Sequence, residues 1–255
     1  MSALIVIPAR FGSTRFVGKP LLRQTGKYLI EHVYEQTTRA RRAGGVVVAT
    51  DDVRILEAVR SFDGQAVLTS AEHQSGTDRI AEVAAMPQYA SFGTIINVQG
   101  DEPEIDPALI DDIIRLLENT DGVAMSTAAA PFASLAEVAN PNVVKVVVDQ
   151  RRLALYFSRS VIPHDRDGLM RQAGSLALAG LYRKHLGVYA YRRHFLLELA
   201  KTAPCEMEKL EKLEQLRPLY MGAKILVHDA PHAHHGIDTP DDYAAFAARY
   251  RQRHV

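Results

Sequence analysis

The strongest constraint on the fold is a series of short, mostly apolar runs, Ala3–Ile7, Val46–Ala49, Ala66–Leu68, Thr94–Val98 and Val123–Thr127, of which the first two are continuous and β-branched. A β-branched run with no polar face has to be covered on both sides, as strands are in a parallel sheet flanked by helices. Between the runs lie segments that supply such cover. Leu29, Ile30, Val33 and Tyr34 recur at helical spacing, as do Ile55, Leu56, Val59 and Phe62, then Ile80, Val83 and Ala84, then Leu109, Ile110, Ile113, Ile114 and Leu117. Asp106 before Pro107 reads as an N-cap followed by proline at the first helical position. The repeated β-α order predicts an α/β fold, a mostly parallel sheet with helices on both faces.

The pattern changes after residue 130. VVKVVVD, ALYFSR and HLGVYAYRR are strand-like with few helices between them, which predicts a mixed-strand insertion over roughly residues 130–190 of a single domain spanning 1–255. Arg166–Lys184 has no clean period and is expected to be a mobile loop. Leu210, Leu213, Leu216 and Leu219 recur every three residues and predict one helix face. Lys224–Val227 reads as a strand, and Tyr243, Phe246, Ala247 and Tyr250 as a closing helix. With 30 basic and 30 acidic residues the chain has no global pull toward nucleic acid or an anionic membrane. No stretch reaches the ~20 apolar residues of a membrane span, and the start MSALIVIPAR lacks the basic region of a signal peptide. Cys205 is the only cysteine, so no internal disulfide forms and a cytoplasmic location is expected.

Two strand ends carry unusual chemistry. The first run leads into IPARFGSTRFVGKPL, where Arg10, Arg15 and Lys19 are interleaved with Gly12, Ser13, Thr14 and Gly18. Glycines let main-chain N–H groups approach phosphate oxygens, arginine forks onto phosphate, and lysine adds a point charge. The loop matches neither GxxxxGK[ST] nor GxGxxG. The Thr94–Val98 run leads into QGDEP, where Gln99 and Asp101 sit at a strand end. Asp101 is a candidate ligand for a divalent cation, since magnesium takes one or two carboxylates with phosphate oxygens and water; the alternative is an acidic turn. In HQSGTDRI, residues Ser75, Gly76 and Thr77 precede a helix and offer backbone groups to a base or ribose, or serve only as a cap. Arg159, His185, Tyr189, Glu214 and Gln215 suit a hydroxylated acid, arginine on the carboxylate, or are structural. In GIDTPDDY, Asp238 is expected to end a short strand, with Asp238 or Thr239 capping the next helix. Asp238 is then either a cap or a second metal carboxylate facing Asp101.

These segments, in this order, resemble the cytidylyltransferases that activate 2-keto-3-deoxy sugar acids, and in particular the 3-deoxy-manno-octulosonate cytidylyltransferase (CMP-KDO synthetase) family. The resemblance runs nearly end to end, through IPARFGSTR, VVVATDD, HQSGTDRIAEV, NVQGDEP, NPNVVKVVVD, ALYFSRSVIP, HLGVYAYRR, EKLEQLRPL and GIDTPDDY. HLGVYAYRR and LEKLEQLR point to the octulosonate branch rather than to the sialic-acid branch. Val17 stands where the family usually has proline, and His164 where it often has an aromatic residue.

The resemblance implies a Rossmann-like nucleotidyltransferase fold and a magnesium-dependent reaction of CTP with KDO to give CMP-KDO and pyrophosphate, for lipopolysaccharide. It places Arg10, Ser13, Arg15 and Lys19 on the triphosphate, Ser75, Gly76 and Thr77 at the cytidine, and Gln99 between nucleotide and sugar. It places Asp101 and Asp238 on Mg2+, with Lys19 beside them in catalysis, and Arg79, Arg159, His185, Tyr189, Glu214 and Gln215 around the sugar. It implies a homodimer built through residues 130–190. Three alternatives stay open: an 8-amino-octulosonate or nonulosonate as the acid, a non-catalytic nucleotide-binding module, and a glycosyltransferase. The last would need a spaced Asp-x-Asp motif, whereas Asp51 and Asp52 are adjacent.

Overall fold

The computed structural model describes residues 2–12, 16–168, 181–234 and 236–253. The chain divides into two compact units, one of residues 1–111 with 234–255 and one of residues 112–233.

The first unit is built on parallel strands β1 (Ala3–Ala9), β2 (Ala43–Thr50), β3 (Ala66–Leu68) and β4 (Thr94–Asn97), in the order β3-β2-β1-β4. β1 is the middle of this group: Ile5 pairs with Val46 on one side and Ile96 on the other. Leu4, Ile5, Val6 and Ile7 are all buried, as an unbroken apolar run requires. Helices α1 (Leu29–Thr37), α2 (Val53–Arg60) and α3 (Gly76–Ala85) turn their apolar stripes inward, burying Leu29, Ile30 and Val33, then Ile55 and Val59, then Ile80, Val83 and Ala84. Their starts are capped by side chains. Asp52 accepts from the Arg54 N–H at 2.9 Å, and Ser75 Oγ from the Asp78 N–H at 3.0 Å. α4 (Pro107–Glu118) is capped as expected, Asp106 accepting from the Ala108 N–H at 2.9 Å. The closing helix α9 (Pro240–Arg253) brings Tyr243 and Phe246 into a cluster with Leu29 and Ile237.

Strand order also locates a crevice. From β1 the chain builds β2 and β3 to one side, then places β4 on the other. The reversal makes a topological switch point between β1 and β4, where ligands of open α/β sheets collect at the carboxyl ends. The loops leaving those two ends are Arg10–Lys19 and Gln99–Pro103.

The second unit is mixed. β5 (Met125–Pro131) runs parallel to β9 (Ile225–Asp229) and antiparallel to β8 (Arg183–Arg192). β6 (Lys145–Val148) is antiparallel to both β8 and β7 (Ala154–Ser158). Short helices α5 (Leu135–Ala139), α6 (Arg193–Leu199), α7 (Glu206–Glu211) and α8 (Leu216–Tyr220) complete it.

Two local expectations need correction. The leucines at 210, 213, 216 and 219 do not share one helix: α7 ends at Lys212, which is left-handed at φ 54°, and Leu210 is 85 % exposed. A continuous helix would place the Pro218 ring against the carbonyl of residue 214, so the chain breaks and restarts. Among the described residues no short strand leads into Asp238 either; residues 236–238 have no regular secondary structure and precede α9. Residues 169–180, most of the expected loop at Arg166–Lys184, lie outside the described residues, whereas Arg183 and Lys184 open β8. No helix among the described residues is long and apolar enough to cross a membrane.

Candidate active site

At the switch point, Lys19 is the organising group. Its ammonium donates to Asp101 Oδ2 at 2.7 Å and to the Ile237 carbonyl at 2.6 Å, while the Ile237 N–H donates to the Asp101 carbonyl at 2.9 Å. Three segments far apart in sequence, the first loop, QGDEP and GIDTPDDY, are thereby tied at one point, with Asp238 the residue after the knot. Lys19 is brought there by a turn in which the Gly18 N–H donates to the Phe11 carbonyl at 2.9 Å. Gly18 has φ 71°, and a Cβ on it would stand 3.2 Å from the Phe11 ring. Gly100 is needed for a different reason: a Cβ there would lie 2.9 Å from the Pro8 carbonyl oxygen, closer than real Cβ atoms come. Only glycine lets the QGDEP turn press against the end of β1.

Arg10 joins the next segment to this point. Its Nη2 donates to the His73 carbonyl and lies 3.5 Å from that of Ser75. Gly76 and Thr77 then open α3, whose first-turn N–H groups lack intrahelical partners. The Ser75 hydroxyl is occupied as the cap of α3. Ser13 and Arg15 lie outside the described residues.

Arg79, which the resemblance assigns to the sugar, has a different position. Its side chain is wholly buried, with Nη2 on Asp51 Oδ2 at 2.7 Å and Nη1 on the Thr69 hydroxyl. There it braces the ends of β2 and β3. Burial draws its pKa down against the opposing pull of Asp51. The same contacts occupy both residues of the Asp51–Asp52 pair, Asp51 on Arg79 and Asp52 on the α2 cap and the Arg54 side chain. That leaves no Asp-x-Asp-like metal motif there.

Among the described residues no group of three or more His, Cys, Asp or Glu side chains forms a metal cage. Magnesium fits the donors that are present, because it typically takes one or two carboxylates and completes its shell with substrate phosphate and water. Asp101 already holds one cation, the Lys19 ammonium, and Asp238 follows directly on the residue that Lys19 also binds. Sequence reasoning passed over Glu102. Burial, and then the neighbouring Asp101 charge, push its pKa up to about 8. Its place inside QGDEP was the available signal. Gln99, also in this turn, is half-buried.

The sugar candidates lie in the second unit. On β8, His185 contacts the edge of Phe157 at 4.9 Å, the Tyr189 ring at 5.4 Å and Thr127 Oγ1 at 3.1 Å. Burial lowers the His185 pKa to about 3, so the imidazole is neutral. Arg159 follows β7, two residues after Phe157, and donates through Nε to the Glu211 carbonyl at 2.7 Å. Glu214 and the buried Gln215 follow in the bend between α7 and α8.

A family model, described as Cytidylyltransferase, matches residues 4–225. A curated 3-deoxy-manno-octulosonate cytidylyltransferase from Geobacter sulfurreducens is 48% identical, covering 95% of this chain and 96% of its own. The protein of the same name from Geotalea daltonii is 46% identical, over 99% and 100%. The chain belongs to the 3-deoxy-manno-octulosonate cytidylyltransferase family. Among solved structures, a CMP:2-keto-3-deoxy-manno-octonic acid synthetase complexed with CTP matches with a TM-score of 0.90 at 39% identity, covering 99% of this chain and 100% of that one. A cytidylyltransferase from Leptospira borgpetersenii matches at a TM-score of 0.62 and 18% identity, covering 97% and 86%, a likeness of fold. The nucleotidyltransferase fold is thus the family's, and it puts the Lys19–Asp101 knot at the switch point of a cytidylyltransferase.

Proposed function

We propose that this chain transfers the CMP part of CTP to 3-deoxy-manno-octulosonate, releasing pyrophosphate and supplying an activated sugar for lipopolysaccharide. The observation that carries the reading is the end-to-end likeness to a synthetase complexed with CTP. The Lys19, Asp101 and Ile237 knot supports it from this chain's own side.

In the reaction, the anomeric C2 hydroxyl of the sugar acid attacks the α-phosphorus. The new C–O–P bond forms as the bond from that phosphorus to the bridging oxygen breaks; the hydroxyl proton passes to solvent, and pyrophosphate leaves with the electron pair. Phosphoryl and nucleotidyl transfer depend on positioning and charge neutralisation more than on covalent chemistry by the protein. Lys19 and Arg10 hold the triphosphate together with Ser13 and Arg15, while Ser75, Gly76 and Thr77 hold cytidine and Gln99 lies between nucleotide and sugar. Asp101 and Asp238 would hold Mg2+, which would neutralise phosphate charge and lower the pKa of the attacking hydroxyl. Arg159 binds the sugar carboxylate, with His185, Tyr189, Glu214 and Gln215 on its hydroxyls. A neutral His185 with a pKa of about 3 donates or accepts hydrogen bonds but is too weak a base to take a proton at neutral pH. The enzyme works in the cytoplasm as a homodimer formed through the region 130–190, where Leu155 on β7 is 59 % exposed.

The test is pyrophosphate release by the purified protein with CTP and magnesium, with KDO, 8-amino-octulosonate or sialic acid as the acid. Release that requires KDO is expected. Release with another acid alone would move the assignment to that acid, and silence with all three while CTP still binds would favour a non-catalytic module.

A further inference from the structure

Lys145 has no part in the scheme above, yet its side chain is entirely buried. Its ammonium donates to three carbonyls, Asn140 at 3.0 Å, Val143 at 2.7 Å and Arg159 at 2.5 Å. Among the described residues no carboxylate forms an ion pair with it, and burial lowers its pKa. A buried cation is costly unless all its protons are satisfied. This one is fully used, and it ties the main chain at Asn140 and Val143 to the carbonyl of a single arginine, Arg159.

Glu211 completes the frame. One carboxylate oxygen accepts from the Ser158 hydroxyl at 2.6 Å, and the other from the Arg159 main-chain N–H at 2.9 Å. The Glu211 carbonyl accepts from Arg159 Nε at 2.7 Å, and the Pro141 carbonyl accepts from Arg159 Nη1 at 3.1 Å. The main-chain N–H, the carbonyl, Nε and one Nη1 proton of Arg159 are therefore all held by protein groups. Among the described residues, what remains is the outer edge formed by Nη2 and the second Nη1 proton, the edge that meets a carboxylate in a two-pronged bond.

We propose that Glu211 and Lys145 are positioning residues that aim the Nη edge of Arg159 at the carboxylate of the sugar acid. The proposal rests on the reading of Arg159 given above. Holding Nε against a main-chain carbonyl leaves the guanidinium only one orientation. The carboxylate is then bound by a pre-set fork, without the loss of rotamer freedom that a loose arginine would suffer.

The experiment is a double-mutant cycle in steady-state kinetics with the full-length protein, varying each substrate in turn. Glu211→Gln should raise the KM for KDO roughly tenfold, the scale of one lost charged hydrogen bond. It should leave kcat and the KM for CTP within about twofold. Ser158→Ala, a milder change to the same frame, should move the same constant in the same direction, and it keeps the test open if Glu211→Gln folds poorly. In an Arg159→Ala background, adding Glu211→Gln should cost nothing further, because a residue that acts through another loses its effect when that other is gone. An equal cost in both backgrounds, or a fall in kcat with both KM values unchanged, would overturn the positioning role. An unchanged KDO KM in Arg159→Ala would overturn the carboxylate reading of Arg159 and this proposal with it. Loss of the Glu211 effect alone would overturn only the proposal.

Discussion

Lys19→Met separates catalytic from structural roles at the switch point. The Lys19 ammonium is held 2.7 Å from Asp101 Oδ2 and 2.6 Å from the Ile237 carbonyl, and its side chain is 13 % exposed against 32 % for Asp101. Two unit charges about 4 Å apart at an effective dielectric near 20 attract by ~4 kcal/mol. Lys19 is mostly shielded, so screening removes only a fraction of that attraction when a triphosphate oxygen is its partner. A loss of ~3–4 kcal/mol in the transition state lowers kcat/KM for CTP by about 10²- to 10³-fold. The structural cost is far smaller. Water can reach Asp101, so the pair adds about 1 kcal/mol or less to folding, and Tm should fall by no more than ~4 °C in a chain of this size. Pyrophosphate release at saturating KDO, beside a thermal melt of the same sample, gives both numbers. Lys19→Arg should recover part of the rate, since it keeps the charge but cannot place a single compact donor on both Asp101 and Ile237. A kcat/KM within tenfold of wild type at unchanged Tm would refute the assignment of Lys19 to the nucleotide. A fall in Tm beyond ~10 °C would refute the argument that its structural role is minor.

Other perturbations probe the neighbouring parts. Asp101→Asn should reduce turnover by at least about 10²-fold while CTP affinity, read by calorimetry, changes far less; near-normal turnover at saturating magnesium would remove Asp101 from the metal site. Gly100→Ala must push the QGDEP turn off the Pro8 carbonyl, now 2.9 Å from where the Cβ would sit, so kcat/KM should drop about tenfold and stability by ~1–3 kcal/mol. Arg217→Met strands the buried Glu208 carboxylate that Nε holds at 2.7 Å, which should cost ~3–5 kcal/mol in a urea melt, much of it returned by Glu208→Leu in the same chain. The His185 pKa is lowered to about 3 in the fold, so the unfolded chain takes up a proton first as pH falls below the usual histidine value of about 6.5. His185 should therefore weaken stability as pH drops from ~6.5 toward ~3, by up to ~1.4 kcal/mol per pH unit. His185→Gln should remove that part of the slope, and an identical slope in both proteins would contradict a desolvated imidazole.

How much of this was legible in the chain depends on the range of the interaction. Strand β1 was readable because it carries its reason in consecutive residues: an unbroken apolar run, Ala3 to Ile7, is buried throughout. The caps at Asp52, Ser75 and Asp106 were readable for the same reason, since a cap and its helix are adjacent. The misreading at Leu210–Leu219 came from counting leucines and passing over Pro218, which in that register cannot lie inside a continuous helix. The site divides along the same line. Lys19, Asp101 and Asp238 stood out as charged residues beside glycine or proline in strand-end or cap motifs, and Lys19 and Asp101 do meet, with Asp238 adjoining their junction at Ile237. The surroundings of Arg79 were not legible from its neighbours SGTD, because its side chain is paired with Asp51, 28 residues earlier. Nothing near either residue announces that pair. Lys145 and Glu211 show the limit most plainly. One sits in a strand of valines and the other in a stretch of alternating charges, and in sequence each looks like a solvated residue. They acquire meaning only when β6, β7 and α7 bring three carbonyls and one arginine to them. Chemistry carried by a contiguous motif can be read from one segment, while the groups that hold it in place are defined by long-range packing, and that part had to be seen.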